Sequence, residues 1–132
     1  MSKTKTGSNA QFTGASKSLV IVDGWCYAYS DSLQFDEDPA VTLLEFNTGK
    51  EIIKAHFLPY RTDTDSLDSR HQIYFNGIEV FNMSMSSGTS HANSILDNSL
   101  IIPPLTYVKV TIINTSNTSN GFGACSMIGR IY

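Results

Sequence analysis

Apolar residues along this chain recur at two-residue spacing in short runs, and no window carries the three-and-four spacing of an amphipathic helix with its caps. Ser18 to Val22 and Trp25 to Tyr29 flank Asp23-Gly24, a dipeptide whose tolerance of positive φ suits a tight hairpin turn. Val41 to Phe46 and Ile52 to Phe57 read as two more strands, joined by the turn Asn47-Thr48-Gly49-Lys50, the second ending near Pro59. His71 to Phe75 and Ile78 to Phe81 enclose Asn76-Gly77, the strongest local hairpin cue in the chain, and simple alternation pairs Phe75 with Ile78 and Ile73 with Val80. Leu105 to Ile113 is the longest predicted strand, with Tyr107, Lys109 and Thr111 on one side and Val108, Val110 and Ile112 on the other. Two prolines, Pro103 and Pro104, introduce it; without N–H donors they mark a strand entry, not a strand interior. Cys125 to Tyr132 closes the chain as a further strand.

About eight short strands joined by polar loops predict an all-β fold, an antiparallel β-sandwich of jelly-roll type. A Greek-key sandwich of immunoglobulin type is the second reading, weakened because Trp25 directly precedes Cys26 and the Cys…Trp…Cys order is absent. Residues 1–17 stand apart. They are mostly Ser, Thr, Gly, Asn and Lys with one aromatic, Phe12, too little apolar surface to fold alone, and read as an extended arm before a body of residues 18–132. Lys3, Lys5 and Lys17 make the arm basic, so the net charge of −3 leaves about −6 on the body. An acidic body without a Lys/Arg stripe speaks against nucleic acid as the main partner. The arm reads instead as a clasp on a neighbouring subunit: about 18 residues at ~3.3 Å each reach up to ~60 Å. Within it Lys3, Lys5 and Phe12 are the candidate partner-binding residues, Phe12 filling a partner's pocket.

The remaining candidates for chemistry are thin. Cys26 and Cys125 lie in separate apolar runs and read as buried free thiols, not as a metal knuckle or redox pair. Asp63 and Asp65 alternate, with Asp68 three residues on, as at the start of a calcium loop, but the central Gly and closing Glu are missing; Asp36-Glu37-Asp38 is a second acidic turn. His56, His71 and His91 show no ligand spacing, and no nucleophile elbow or phosphate-cradling glycine loop occurs. No catalytic residue, cofactor or metal is therefore expected. No run approaches the ~18 apolar residues of a membrane helix, and no secretory h-region follows the N-terminal lysines, so no membrane partner is expected. Trp25, Tyr27 and Tyr29 alternate along one strand and read as an interface, or alternatively as a sugar-stacking platform.

A strand ending Tyr27-Ala28-Tyr29-Ser30, the block Leu43 to Gly49, the Phe75-Asn76-Gly77 hairpin, Ile101-Ile102-Pro103-Pro104 and the terminal Ile128 to Tyr132 together resemble small virion structural proteins of tailed, notably marine, bacteriophages. The resemblance spans roughly residues 17–132 and rests on architectural motifs, so no family site residues carry over. It implies a jelly-roll body assembling about a symmetry axis, commonly as a homotrimer, with the proline corner reversing the chain between sheets. It implies a head decoration or cement protein bound to the major capsid protein or other virion proteins at the capsid surface, assembled in the host cytoplasm. A tail-fibre or receptor-binding head using loops 61–70 and 86–99 on host glycans is the alternative. A lectin-like or metal-dependent enzyme module is the third.

Overall fold

A computed structural model describes residues 4–6, 19–35, 39–62, 68–85, 99–115 and 121–132. Among them are eleven strands: β1 (Thr4–Thr6), β2 (Val20–Val22), β3 (Trp25–Tyr29), β4 (Leu33–Phe35), β5 (Val41–Asn47), β6 (Ile53–Thr62), β7 (Ser69–Phe75), β8 (Ile78–Met85), β9 (Leu100–Ile102), β10 (Tyr107–Asn114) and β11 (Gly121–Ile131). They form two antiparallel sheets, β1-β2-β3-β11-β6-β9 with β4 also along β11, and β5-β10-β7-β8. Four nested pairs run through both sheets: β3 with β11, β5 with β10, β6 with β9 and β7 with β8. That nesting is a long hairpin rolled onto itself, which is the jelly roll.

Alternation along the strands places the core between the sheets. On the first sheet Ala28, Phe57, Ile53 and Met127 point inward; on the second, Leu44, Phe46, Val110 and Ile112 meet them, all at 2% exposure or less. Cys26 and Cys125 are buried free thiols on the inner side of the first sheet, which bears out their sequence reading. Asp23-Gly24 (φ 48° and 86°) and Asn76-Gly77 (φ 52° and 84°) form the two hairpin turns as expected, both residues of each in the left-handed region. Asn76 does more than turn: its N–H donates to the Tyr107 carbonyl and its Oδ1 accepts the Tyr107 N–H, both at 2.8 Å, tying the hairpin to the start of β10.

The proline corner reverses the chain between sheets, since β9 lies in the first and β10 in the second. Thr48 staples it. Its hydroxyl accepts the Thr106 N–H at 2.8 Å and donates to the Pro103 carbonyl at 3.0 Å, while Leu105, at φ 53°, donates its N–H to the Gly49 carbonyl.

Three expectations are corrected. Strand β6 does not end near Pro59 but runs on to Thr62; its pairing with β9 stops at Ala55, so Pro59 has β11 on one side and no β9 ladder on the other. A bulge between Ile73 and Tyr74 sets Ile73 opposite Phe81 and Tyr74 opposite Glu79, so Phe81 packs on the core and Val80 is exposed. Ile101 and Ile102 belong to β9, before the prolines; β10 begins only at Tyr107, and the longest strand is β11, at 11 residues. Within the arm, Thr4–Thr6 pairs antiparallel with Val20–Val22 of its own chain, adding an edge strand to the first sheet.

Candidate interaction face

The outward side of the first sheet is a grid built by register. Trp25, Arg130 and Lys54 lie side by side across β3, β11 and β6; the next row is Tyr27, Ile128 and His56, and the next Tyr29, Ser126 and Leu58. Ala124 beside Tyr60 and Phe122 beside Gln34 continue it. Because β11 is the central strand, its small outward residues Ala124 and Ser126 leave a trough between taller neighbours. There a hollow of about 390 Å³ opens, walled by Tyr29, Leu58 and Tyr60. At the other end of the same strand a hollow of about 210 Å³ is bounded by Trp25, Lys54, His56, Arg130 and Tyr132.

Two aromatic contacts set the geometry of this face. The Arg130 guanidinium lies 4.7 Å from the centroid of the Trp25 ring, a cation–π stack that holds the side chain flat on the sheet. Tyr27 and Tyr29 tilt together, with centroids 5.2 Å apart. Trp25, Tyr29, Phe122, Ile128 and Ile101 are all between 44% and 55% exposed, so apolar and aromatic side chains alternate with the polar ones across this face.

The outward side of the second sheet differs in kind, because its polar groups bond one another. Asn82 and Gln72 donate to the Glu79 carboxylate at 2.7 and 3.2 Å, the Thr111 hydroxyl donates to Gln72 at 3.2 Å, and the Tyr107 hydroxyl donates to Glu45. That bond to Glu45 is the main cause pushing the Tyr107 hydroxyl up to about 12.

One polar cluster is sealed between the sheets. Arg61, fully buried on the inner side of β6, donates to the Ser69 hydroxyl at 2.9 Å. His71 on β7 is 2% exposed, and neither ring nitrogen is within hydrogen-bond geometry of a partner among the described residues. Burial holds its pKa down at about 4, with Arg61 adding to the effect; the nearby Ala124 and Tyr60 carbonyls oppose it without reversing it.

The candidates from sequence fall in different places. Lys5 lies on β1 opposite Ile21, whereas Lys3 and Phe12 lie outside the described residues. So do Asp36-Glu37-Asp38, Asp63, Asp65, His91 and residues 63–67 and 86–98 of the two expected loops, while the loop expected at 61–70 is shorter than that, Arg61 and Thr62 belonging to β6 and Ser69 and Arg70 to β7. Among the described residues no three His, Cys, Asp or Glu side chains gather as a metal site. Trp25, Tyr27 and Tyr29 do share one outward face. What the sequence reading missed is their company, Arg130, Ser126, Lys54 and Tyr60, which register brings from β11 and β6.

No protein-family model matches the chain, and no curated protein matches its sequence. Among solved structures it is similar to the VP2 subviral particle of infectious bursal disease virus, with TM-score 0.52 and 14% identity over 97% of this chain and 39% of that one. The T13 particle of the same virus and T=1 particles derived from it each match with TM-score 0.51 and 16% identity over 97% of this chain, covering 37% and 38% of theirs. The chain thus spans about two fifths of these proteins, and at such identities the likeness is one of fold.

Proposed function

We propose that this chain is a non-enzymatic structural protein of a virion, a head decoration or cement protein that stabilises a phage capsid by binding between capsid subunits. The observation that carries the reading is the nested jelly roll, matched along nearly the whole chain by the protein of a viral particle. A rigid two-sheet body suits a module that meets neighbours over broad surfaces. In this reading it stands on the capsid surface as a homotrimer, meets the major capsid protein, and is assembled in the host cytoplasm. The arm is its clasp, with Lys3, Lys5 and Phe12 as anchors; Thr4–Thr6 on the edge of the first sheet is the root from which the clasp is laid down.

The test is deletion of residues 1–16. The shortened protein keeps its fold and its mass by light scattering, that of a trimer, but no longer binds capsids stripped of it. Attachment undiminished by the deletion overturns the arm's role and with it the cement reading. A second reading, a receptor-binding head for host glycans, is favoured by one observation: the aromatic and apolar outer face of the first sheet.

A further inference from the structure

We propose that the outer face of the first sheet binds an acidic oligosaccharide, its sugar rings lying in the Tyr29–Tyr60 trough and its carboxylate or sulfate on Arg130 and Lys54. This deepens the receptor reading and does not depend on capsid attachment, which the arm deletion tests separately.

Charge comes first. The body carries about −6, yet the outward strand positions described on this face hold Lys54, His56 and Arg130 and no carboxylate. Glu45 and Glu79 lie on the second sheet, while Asp23 sits in the turn joining β2 to β3, whose Gly24 carbonyl accepts the Ile131 N–H next to Arg130. A cluster of cations on outward strand positions that hold no carboxylate, on an acidic protein, is complementary to an anion. Stacking on Trp25 fixes the Arg130 guanidinium, so less entropy is lost when its planar fork takes a carboxylate or sulfate.

The rest of the face calls for a ligand that is amphipathic as well as anionic. A pyranose ring has apolar C–H faces and a rim of hydroxyls. Tyr29 and Tyr60 offer ring surface on either side of the trough, and Ala124 and Ser126 form a floor low enough to admit a ring, with a hydroxyl at hand. Ser126 and Arg130 are four residues apart on one strand, so trough and cationic hollow lie about 13 Å apart along β11. A chain of several sugars spans that distance and a single sugar does not. Nucleic acid fits less well, because two permanent cations neutralise too few phosphates.

Isothermal titration of the full chain decides it, with oligosaccharides of alginate, of chondroitin sulfate and of neutral dextran, and oligo-dT as a polyanion control. At least one acidic sugar binds, about tenfold or more tighter than dextran and oligo-dT. Combining Lys54→Gln with Arg130→Gln weakens that binding about tenfold, and Tyr29→Ala with Tyr60→Ala weakens it comparably, all with unchanged melting. Alginate alone assigns the anion as a carboxylate; chondroitin sulfate, which carries both groups, assigns it as a sulfate when desulfated chondroitin does not bind. Failure of both acidic sugars overturns the proposal, as does equal binding of oligo-dT that ignores the tyrosines. So does an oligomer of the full chain that Leu58→Arg and Ile128→Arg dissolve, for then a second copy covers the face.

Discussion

His71 is the residue whose surroundings speak most directly to solution behaviour. For an imidazole 2% exposed and beside the buried guanidinium of Arg61, the cost of burying a charge outweighs what the Ala124 and Tyr60 carbonyls offer a proton. Its pKa of about 4 in the fold lies below the ordinary 6.5, so the unfolded chain takes the proton first. Stability from this group is whole above pH 6.5, falls as pH drops through 6.5 toward 4, and is reduced by about 3 kcal/mol once both states are charged. Urea unfolding at pH 7 and pH 4.5 reads this directly. In His71→Leu, which puts an apolar side chain in place of the titrating ring, the acid-side decline is shallower; an identical decline in both proteins refutes the assignment. Nothing in the alternation of His71 to Phe75 announced this cluster, because Arg61 reaches it from the other sheet.

Strands show which parts of the fold local sequence can specify. The two hairpin turns were legible because Asp23-Gly24 and Asn76-Gly77 accept left-handed backbone where other pairs resist it. The three-residue strands β4 and β9 were not, since each is defined by pairing with a distant strand, β11 and β6. The bulge opposite Val80 and the continuation through Pro59 are likewise set by what lies alongside. Strand β11 carries the densest constraint of this kind. A Cβ on Gly129 would come within 2.8 Å of Ile53 Cγ2 and 2.9 Å of the Lys54 carbonyl, and backbone cannot yield as a methyl can. Gly129→Ala therefore lowers stability by about 1–3 kcal/mol in a denaturant titration. At Gly123 the close neighbour is the far methyl of Ile112, so Gly123→Ala is the milder change; the reverse order contradicts this account of the β11–β6 contact.

At the level of the molecule, sequence reached the fold class and stopped short of the face. Two sheets and a jelly roll follow from turn chemistry and two-residue alternation, whereas the chain reversal at Pro103-Pro104 was implied by the resemblance alone. The interaction face does not, because it exists only once β11 is threaded between β3 and β6. Alternation could place Trp25, Tyr27 and Tyr29 on one side of a strand. It could not say that Arg130 would stack on the first of them or that Ser126 would sit beside the last.

The same central strand holds a consequence for how the body opens. Burial pushes the Cys26 thiol up to about 11 and the Cys125 thiol up to about 12, so neither offers thiolate to a reagent while the sheet is closed. With iodoacetamide at neutral pH the native protein is expected to stay unlabelled over times in which the urea-unfolded chain reacts fully. Mass spectrometry of partly labelled samples then distinguishes two cases: doubly modified molecules appearing without singly modified ones mean that β3 and β11 part in a single cooperative event. Singly modified molecules accumulating first mean that one strand frays alone. Two sulfur atoms sealed between the sheets would in this way serve as a built-in clock, each alkylation recording one breath of the sandwich.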